Sequence, residues 1–282
     1  MKAVTDTLSV SRSNQYEQMG KEPVPRRKYY HKAEDNNYLL LIRKITDRRP
    51  TYGYRRVTAI LNRYLSLLEQ PKVNHKRIYR IMKINGLLLQ KYTGRPARCH
   101  NGKVMVRQSN MRWCSDIFEI VCWNRQRVRV AFSMDCCDRE IMSYIATTGG
   151  ISGDMIKDLM AEAIDSRFGF VKQIPKRIEW LSDNGSAYTA HDTRSFARMM
   201  GLEALTTPVR SPESNGMAEA FVKTFKRDYV DINHLNDAKT VLNQLPKWFE
   251  DYNNNHPHKA LKMMSPRAFR RQNIKLEGCP VL

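Results

Sequence analysis

From Asn36 onward, apolar residues recur at helical spacing, with Tyr38, Leu39, Ile42 and Ile45 on one face. Pro50 interrupts that pattern, and Thr51-Tyr52-Gly53-Tyr54 predicts a turn. A second helix follows, with Val57, Ile60, Leu61 and Leu65 inward and Arg55, Arg56 and Arg63 outward. A third run, Asn74 to Asn85, spaces Ile78, Ile81 and Met82 helically and carries Lys76, Arg77, Arg80 and Lys83. Short helices, a tight turn and a basic last helix predict a helix-turn-helix-like unit over residues 35–90. Its alternative is a plain helical bundle with a solvated charged face. Residues 1–34 read as partly flexible. They include a short helical piece at Leu8–Gln18 and a proline-broken basic linker from Lys21 to Lys28.

At Met111 the period changes to two. Arg112–Cys122 predicts a strand, Trp123-Asn124-Arg125-Gln126 a turn, and Arg127–Met134 a second strand in which Arg127/Arg129 alternate with Val128/Val130. Glu140–Thr147 gives a third strand, with the adjacent Cys136 and Cys137 expected in extended chain. Ser152–Phe168 is an amphipathic helix through Met155, Ile156, Leu159, Met160 and Ala163. A short strand at Arg177–Leu181 ends on Ser182-Asp183-Asn184-Gly185. A helix through Phe196 and Met199 ends near Gly201, a strand covers Leu202–Thr206, and helices cover roughly Gly216–Tyr229 and Asp237–Tyr252. This order predicts an α/β domain at 109–272 with a mixed sheet flanked by helices, followed by a tail at 273–282. It lacks the regular βαβ alternation of a doubly wound parallel sheet.

Charge sharpens that division. The net charge is +20 over 282 residues. Residues 1–110 hold 24 Lys and Arg against 7 Asp and Glu, +17; residues 111–282 hold 24 against 21, +3. A basic first part beside a nearly neutral second part points to a nucleic-acid-binding module joined to a catalytic one. Residues 91–108, with Lys91, Arg95, Arg98, Lys103 and Arg107, read as an extended basic linker able to track phosphates. The six cysteines form no Cys-x-x-Cys pair and no zinc-finger spacing, so thiols in a reducing compartment are expected. No apolar run is long enough to span a membrane, and Met1–Asp6 lacks a signal-peptide core. The expectation is a soluble, intracellular protein.

Three carboxylates fall in settings suited to metal-dependent phosphoryl transfer: Asp116 in Trp113-Cys114-Ser115-Asp116, Asp183 in Leu181-Ser182-Asp183-Asn184-Gly185, and Glu219 after Ser211-Pro212-Glu213-Ser214-Asn215-Gly216. Spacing alone says little, since 28 acids give about two or three pairs at any fixed separation by chance. The settings say more. Asp116 lies mid-strand beside Trp113 and Ile117-Phe118, where a carboxylate needs compensation; otherwise it is a solvated edge residue. Asp183 follows an apolar strand, where sheets place functional groups, or else only opens an Asx turn. Glu219 lies early in a helix with Lys223 and Lys226 at i+4 and i+7. They are an ordinary exposed ion-pair face or DNA contacts beside the metal. Mg²⁺ takes oxygen ligands, so three acids and a phosphate can complete the shells of two ions.

The combined blocks resemble bacterial insertion-sequence transposases related to retroviral integrases, in particular the second-reading-frame product of such elements. The resemblance rests on the Ser211–Glu219 block with Phe221-Val222-Lys223-Thr224 and Lys226-Arg227-Asp228-Tyr229, on Trp113–Asp116, on Trp180–Gly185, and on Tyr252-Asn253 with His256-Pro257-His258. Tyr52-Gly53-Tyr54-Arg55-Arg56-Val57 resembles the helix-turn-helix-like module preceding the core in the same family. The likeness spans about residues 36–270.

It implies a ribonuclease-H-like catalytic core in which Asp116, Asp183 and Glu219 form a DDE triad binding two Mg²⁺ ions, with Mn²⁺ as a substitute. Lys226 matches the family's basic residue near the terminal DNA. Lys223, Arg55, Arg56, Lys76, Arg77 and Arg80 are the expected DNA contacts. Asp135, Asp138, Glu213 and Asp228 are rival acids whose contexts do not match. The implied reaction is cleavage and strand transfer of element-end and target DNA in the bacterial cytoplasm, at the nucleoid. It is performed by a homo-oligomer on DNA, with an upstream-frame helix-turn-helix protein or fusion as partner. The chain has no long coiled-coil heptad and no His/Cys zinc module. The alternatives are a nuclease that cuts without joining and a domesticated DNA-binding regulator.

Overall fold

The computed structural model describes residues 32–90, 106, 108–169, 171, 174–206 and 215–277. The helix expected at Leu8–Gln18, the linker at Lys21–Lys28, most of the basic stretch 91–108 and the Ser211–Ser214 turn lie outside them. The chain divides into two compact units, Met1–Leu40 and Leu41–Leu282. Helix α1 (Asp35–Arg48) begins in the first and ends in the second.

In the second unit, α2 (Tyr54–Leu67) and α3 (His75–Ile84) bury Val57, Leu61 and Leu65 against Ile78, Ile81 and Met82. Each fully buried aliphatic contributes about 1.5–3 kcal/mol. Asn74 caps α3 by accepting from the Lys76 amide at 2.9 Å. The connection between α2 and α3 is fixed by Asn62, which accepts from Val73 N at 2.8 Å and donates to Val73 O at 3.0 Å.

The sheet has five strands: β1 (Arg112–Val121), β2 (Arg127–Asp135), β3 (Ile141–Thr147), β4 (Ile178–Ser182) and β5 (Leu202–Thr206). Their spatial order is β3-β2-β1-β4-β5. β1, β2 and β3 pair antiparallel, while β4 and β5 run parallel to β1. β2 stops earlier than the Cys136-Cys137 expectation. The Asp135 carboxylate accepts from the amides of Cys137 at 2.7 Å and Asp138 at 3.2 Å, folding the chain into a turn that holds both cysteines.

Alternation sorts the strands' side chains into two cores. One face, with Trp113, Ile178 and Trp180, packs on α4 (Gly153–Phe168) and α6 (His191–Met200), joined by the four-residue α5 (Ser186–Thr189). The other, with Cys114, Phe118, Ile120 and Leu181, packs under α7 (Gly216–Phe225) and α8 (Ala238–Asn255). Phe221 meets Phe132 at 4.5 Å between ring centroids, and Phe225 stacks on Phe249 at 4.7 Å. Between α7 and α8 lies a π turn, Lys226–Val230, closed by Asp231 N donating to Lys226 O at 2.8 Å.

The chain continues into a helix, α9 (Pro266–Glu277), that crosses the expected boundary at 272. Its Arg267 and Arg270 reach the buried Glu140 at 3.0 and 3.2 Å. Among the described residues no helix is long and apolar enough to cross a membrane.

Candidate active site

The β1–β4 ladder pairs Trp113 with Trp180 and Cys114 with Leu181. Two more residues along each strand lead to Asp116 and to Asp183, at the open end of β4. Adjacent strands lie about 5 Å apart, so the two carboxylates leave the sheet side by side. Asp116 shares the phase of Cys114 and Phe118, and Asp183 that of Leu181, so both belong to the face covered by α7. Glu219 sits in the first turn of α7 on that same face.

Electrostatics reports the convergence. The Asp116 carboxyl is pushed up to about 6, first by burial and then by the negative charges of Asp183 and Glu219, against the Ile117 amide that stabilises its ionised form. Asp116 is half-buried; Asp183 and Glu219 are exposed. One oxygen of Asp116 accepts from Ile117 N at 2.8 Å, and one of Asp183 from Gly185 N at 3.0 Å. Each carboxylate thus keeps a second oxygen outside that bond.

Two polar residues frame these acids: Asn215, expected from the sequence to help shape the turn that positions the helix, and Tyr188, to which sequence reading gave no role. Buried Asn215 donates to Ser115 O at 3.4 Å, pinning the start of α7 to the strand beside Asp116. Tyr188 on α5 meets the Ser115 hydroxyl at 2.7 Å, behind the two aspartates. Burial raises its phenol. Nothing in the local sequence marks Tyr188, because its partner lies 73 residues away.

Donor chemistry fits a hard divalent cation: three carboxylates, oxygen only, whose mutual repulsion a cation would relieve. Among the described residues, however, no three His, Cys, Asp or Glu side chains are grouped closely enough to hold a metal ion. The rival acids are committed elsewhere. Asp138 takes a two-pronged pair from Arg167 at 3.0 and 3.1 Å, with Asp135 3.9 Å away, and all three are buried. Asp228 is fully buried among arginines. Glu213 lies outside the described residues.

The expected basic residues fall in three places. Lys223 is exposed on α7, and Lys226 carries its Nζ to 5.9 Å from the Phe118 ring, two residues along β1 from Asp116. Arg55 and Lys76 are exposed on α2 and α3, with Arg77 and Arg80 half-buried. Arg56, also expected at DNA, is half-buried and donates to Asp228 at 2.9 Å.

Family models match the chain in three stretches: an HTH-like domain at residues 32–95 and integrase core domains at 106–212 and 200–266. Transposase InsD of insertion element IS2A/D/F/H/I/K from Escherichia coli is 50% identical over 243 residues, covering 85% of this chain and 80% of that protein. InsD of IS2-9 from strain K12 is equally similar over 78% of its length. The chain belongs to the insertion-element transposases. The transposase is an enzyme of the polynucleotidyl transferase class, and its integrase core is a ribonuclease-H-like mixed sheet preceded by a helical HTH-like region. Among solved structures, the Mos1 transposase catalytic domain with Raltegravir and Mg aligns over 59% of the transposase and 78% of its own chain, at 15% identity and a TM-score of 0.43.

Proposed function

We propose that this transposase cleaves DNA at the ends of its element and joins the freed 3′-hydroxyls to target DNA, with Asp116, Asp183 and Glu219 as the metal-binding DDE triad. The supporting observation is the convergence on one face of the sheet: the continued β1–β4 register, α7 laid over it, and an Asp116 carboxyl raised by its two acidic neighbours. The triad would hold two Mg²⁺ ions, or Mn²⁺ in their place. When bound, they supply Lewis-acid stabilisation at the attacked phosphate and the leaving oxygen. The protein's own part is positioning. Asn215 fixes the start of α7 against β1, the Gly185 amide holds Asp183, and the Ile117 amide holds Asp116. Lys223 and Lys226 offer positive charge on the same helix face toward a phosphate backbone. On the 35–90 segment, Arg55, Lys76, Arg77 and Arg80 are the phosphate contacts, and 109–272 is the catalytic domain. Paired element ends call for a homo-oligomer on DNA in the bacterial cytoplasm, assisted by the helix-turn-helix product of an upstream frame.

The test incubates the full chain with a labelled duplex carrying its element's end, with Mg²⁺, and with the upstream product added or withheld. Cleavage and joined product are expected from the wild type, and neither from Asp183→Asn, whose thermal unfolding should stay within about 4 °C of wild type. Strand joining by Asp183→Asn would sink the assignment. Cutting without joining would identify a nuclease, and metal-independent binding without cutting a regulator.

A further inference from the structure

Asp228 is fully buried, yet it is a carboxylate. Such a charge persists in a protein interior only when paired. Arg56 of α2 supplies one partner at 2.9 Å, and Arg227 donates to both oxygens at 2.6 Å. His256 stands 3.9 Å off. The contact is one part of a seam. Arg49, the residue directly after α1, donates to the Asp228 carbonyl at 3.4 Å and pairs with Asp251 on α8, and its guanidinium lies 4.9 Å from the Tyr229 ring. The Tyr52 hydroxyl meets His256 Nδ1 at 3.0 Å, and Arg63 donates to the carbonyls of Asn255 and Met263 at 2.8 and 2.9 Å.

The address of Asp228 gives the seam its meaning. It lies inside the π turn Lys226–Val230. Such turns add a residue to a helix and recur at functional sites. This one begins with Lys226, the residue over Phe118, and directly continues the helix that carries Glu219 and Lys223. Whatever fixes the turn therefore fixes the far end of α7, as Asn215 fixes its start.

We propose that Arg56 is a positioning residue: by holding Asp228 it sets the π turn and the end of α7, so that the helical segment completes the active site besides delivering it to DNA. The inference rests on the reading of Asp116, Asp183 and Glu219 as the catalytic triad. The sequence expectation for Arg56 was a DNA phosphate contact, and the two roles predict different behaviour.

The experiment uses the full chain and the element-end duplex. It measures duplex affinity against salt, the single-turnover joining rate at saturating DNA, and backbone hydrogen exchange over 216–231 without DNA or metal. Arg56→Gln is expected to leave affinity and its salt slope unchanged, to slow joining about 10–100-fold, the range for residues that orient metal-binding side chains, and to speed exchange in 216–231 but not in β2 and β3. Weaker binding with a shallower salt slope and a normal rate at saturation would make Arg56 a phosphate contact and overturn the proposal. So would a slower rate without faster exchange, or no change at all. Should Arg56→Gln fail to fold, Arg56→Lys keeps the charge but loses the guanidinium that also lies 5.2 Å from the Tyr52 ring. The same slow joining and fast exchange are expected there, whereas a phosphate contact would tolerate that swap. If the wild type joins no strands, or Asp183→Asn joins them equally well, the triad reading itself fails, whatever Arg56 does.

Discussion

His256 should make the seam between the helical segment and the core acid-labile in a way that can be isolated. It is fully buried, its Nδ1 meets the Tyr52 hydroxyl, and burial, His258, Arg56, Arg227 and Arg49 all hold it well below its ordinary value of 6.5. The folded protein therefore keeps it neutral at pH 5.5, while the unfolded chain protonates it. For a base whose folded pKa is depressed, stability is fully present above the unfolded pKa and is lost as pH falls below it. With an unfolded value near 6.5, the loss is under about 0.1 kcal/mol at pH 7.5 and about 1.4 kcal/mol at pH 5.5. Other groups titrate in the same window with the opposite sign. Asp116 and Asp135, both raised to about 6, regain stability as they take up protons. The informative quantity is therefore a difference between two proteins. Urea unfolding of wild type and His256→Gln at pH 7.5 and 5.5 should show the gap between their stabilities shifting by about 1.3 kcal/mol in favour of the variant at the lower pH. A gap that does not change with pH would refute the neutral, buried assignment of His256.

Two further outcomes follow from particular contacts. A Cβ at Gly185 would stand 3.0 Å from Asp183 Oδ1, so Gly185→Ala should displace that carboxylate and lower the joining rate about tenfold or more while duplex affinity holds; an unchanged single-turnover rate would count against the placement. Arg167→Ala strands Asp138 and Asp135 in the interior and should cost about 3–5 kcal/mol in urea unfolding, whereas a loss under about 1 kcal/mol would show water reaching the site.

The elements that build the candidate site's face were legible because each declares itself locally. β2 alternates Arg127 and Arg129 with Val128 and Val130. Gly201 stops α6 in the left-handed region at φ +91°, and Ser152 opens α4 by accepting from Met155 N. The flanks of Asp116, Asp183 and Glu219 singled these acids out, and their catalytic role is the proposal made above. What escaped is decided at long range. Arg56 reads as an outward cation on α2, and only the fold brings Asp228 to it from 172 residues away. His256 enters the sequence reading only through the His256-Pro257-His258 block, which does not reveal that aromatic rings of Tyr52, Tyr229 and Tyr252 enclose it. Helix α9 is weakly apolar and is held by arginines on Glu140, so hydrophobic periodicity gives little sign of where it ends.

That attachment has a temporal side. Glu140 is buried beside the β2–β3 turn, and Arg267, which neutralises it together with Arg167 and Arg270, follows 127 residues later. At roughly 5–20 residues per second of synthesis, the acid waits about 6–25 s on the ribosome before that partner emerges. The first hairpins of the sheet are made early and meet Arg167 soon after, but Arg267 and Arg270 reach Glu140 only once α8 has been synthesised. A chain released short of Pro266 would carry Asp116, Asp183 and Glu219 and still lack two of the three cations around Glu140.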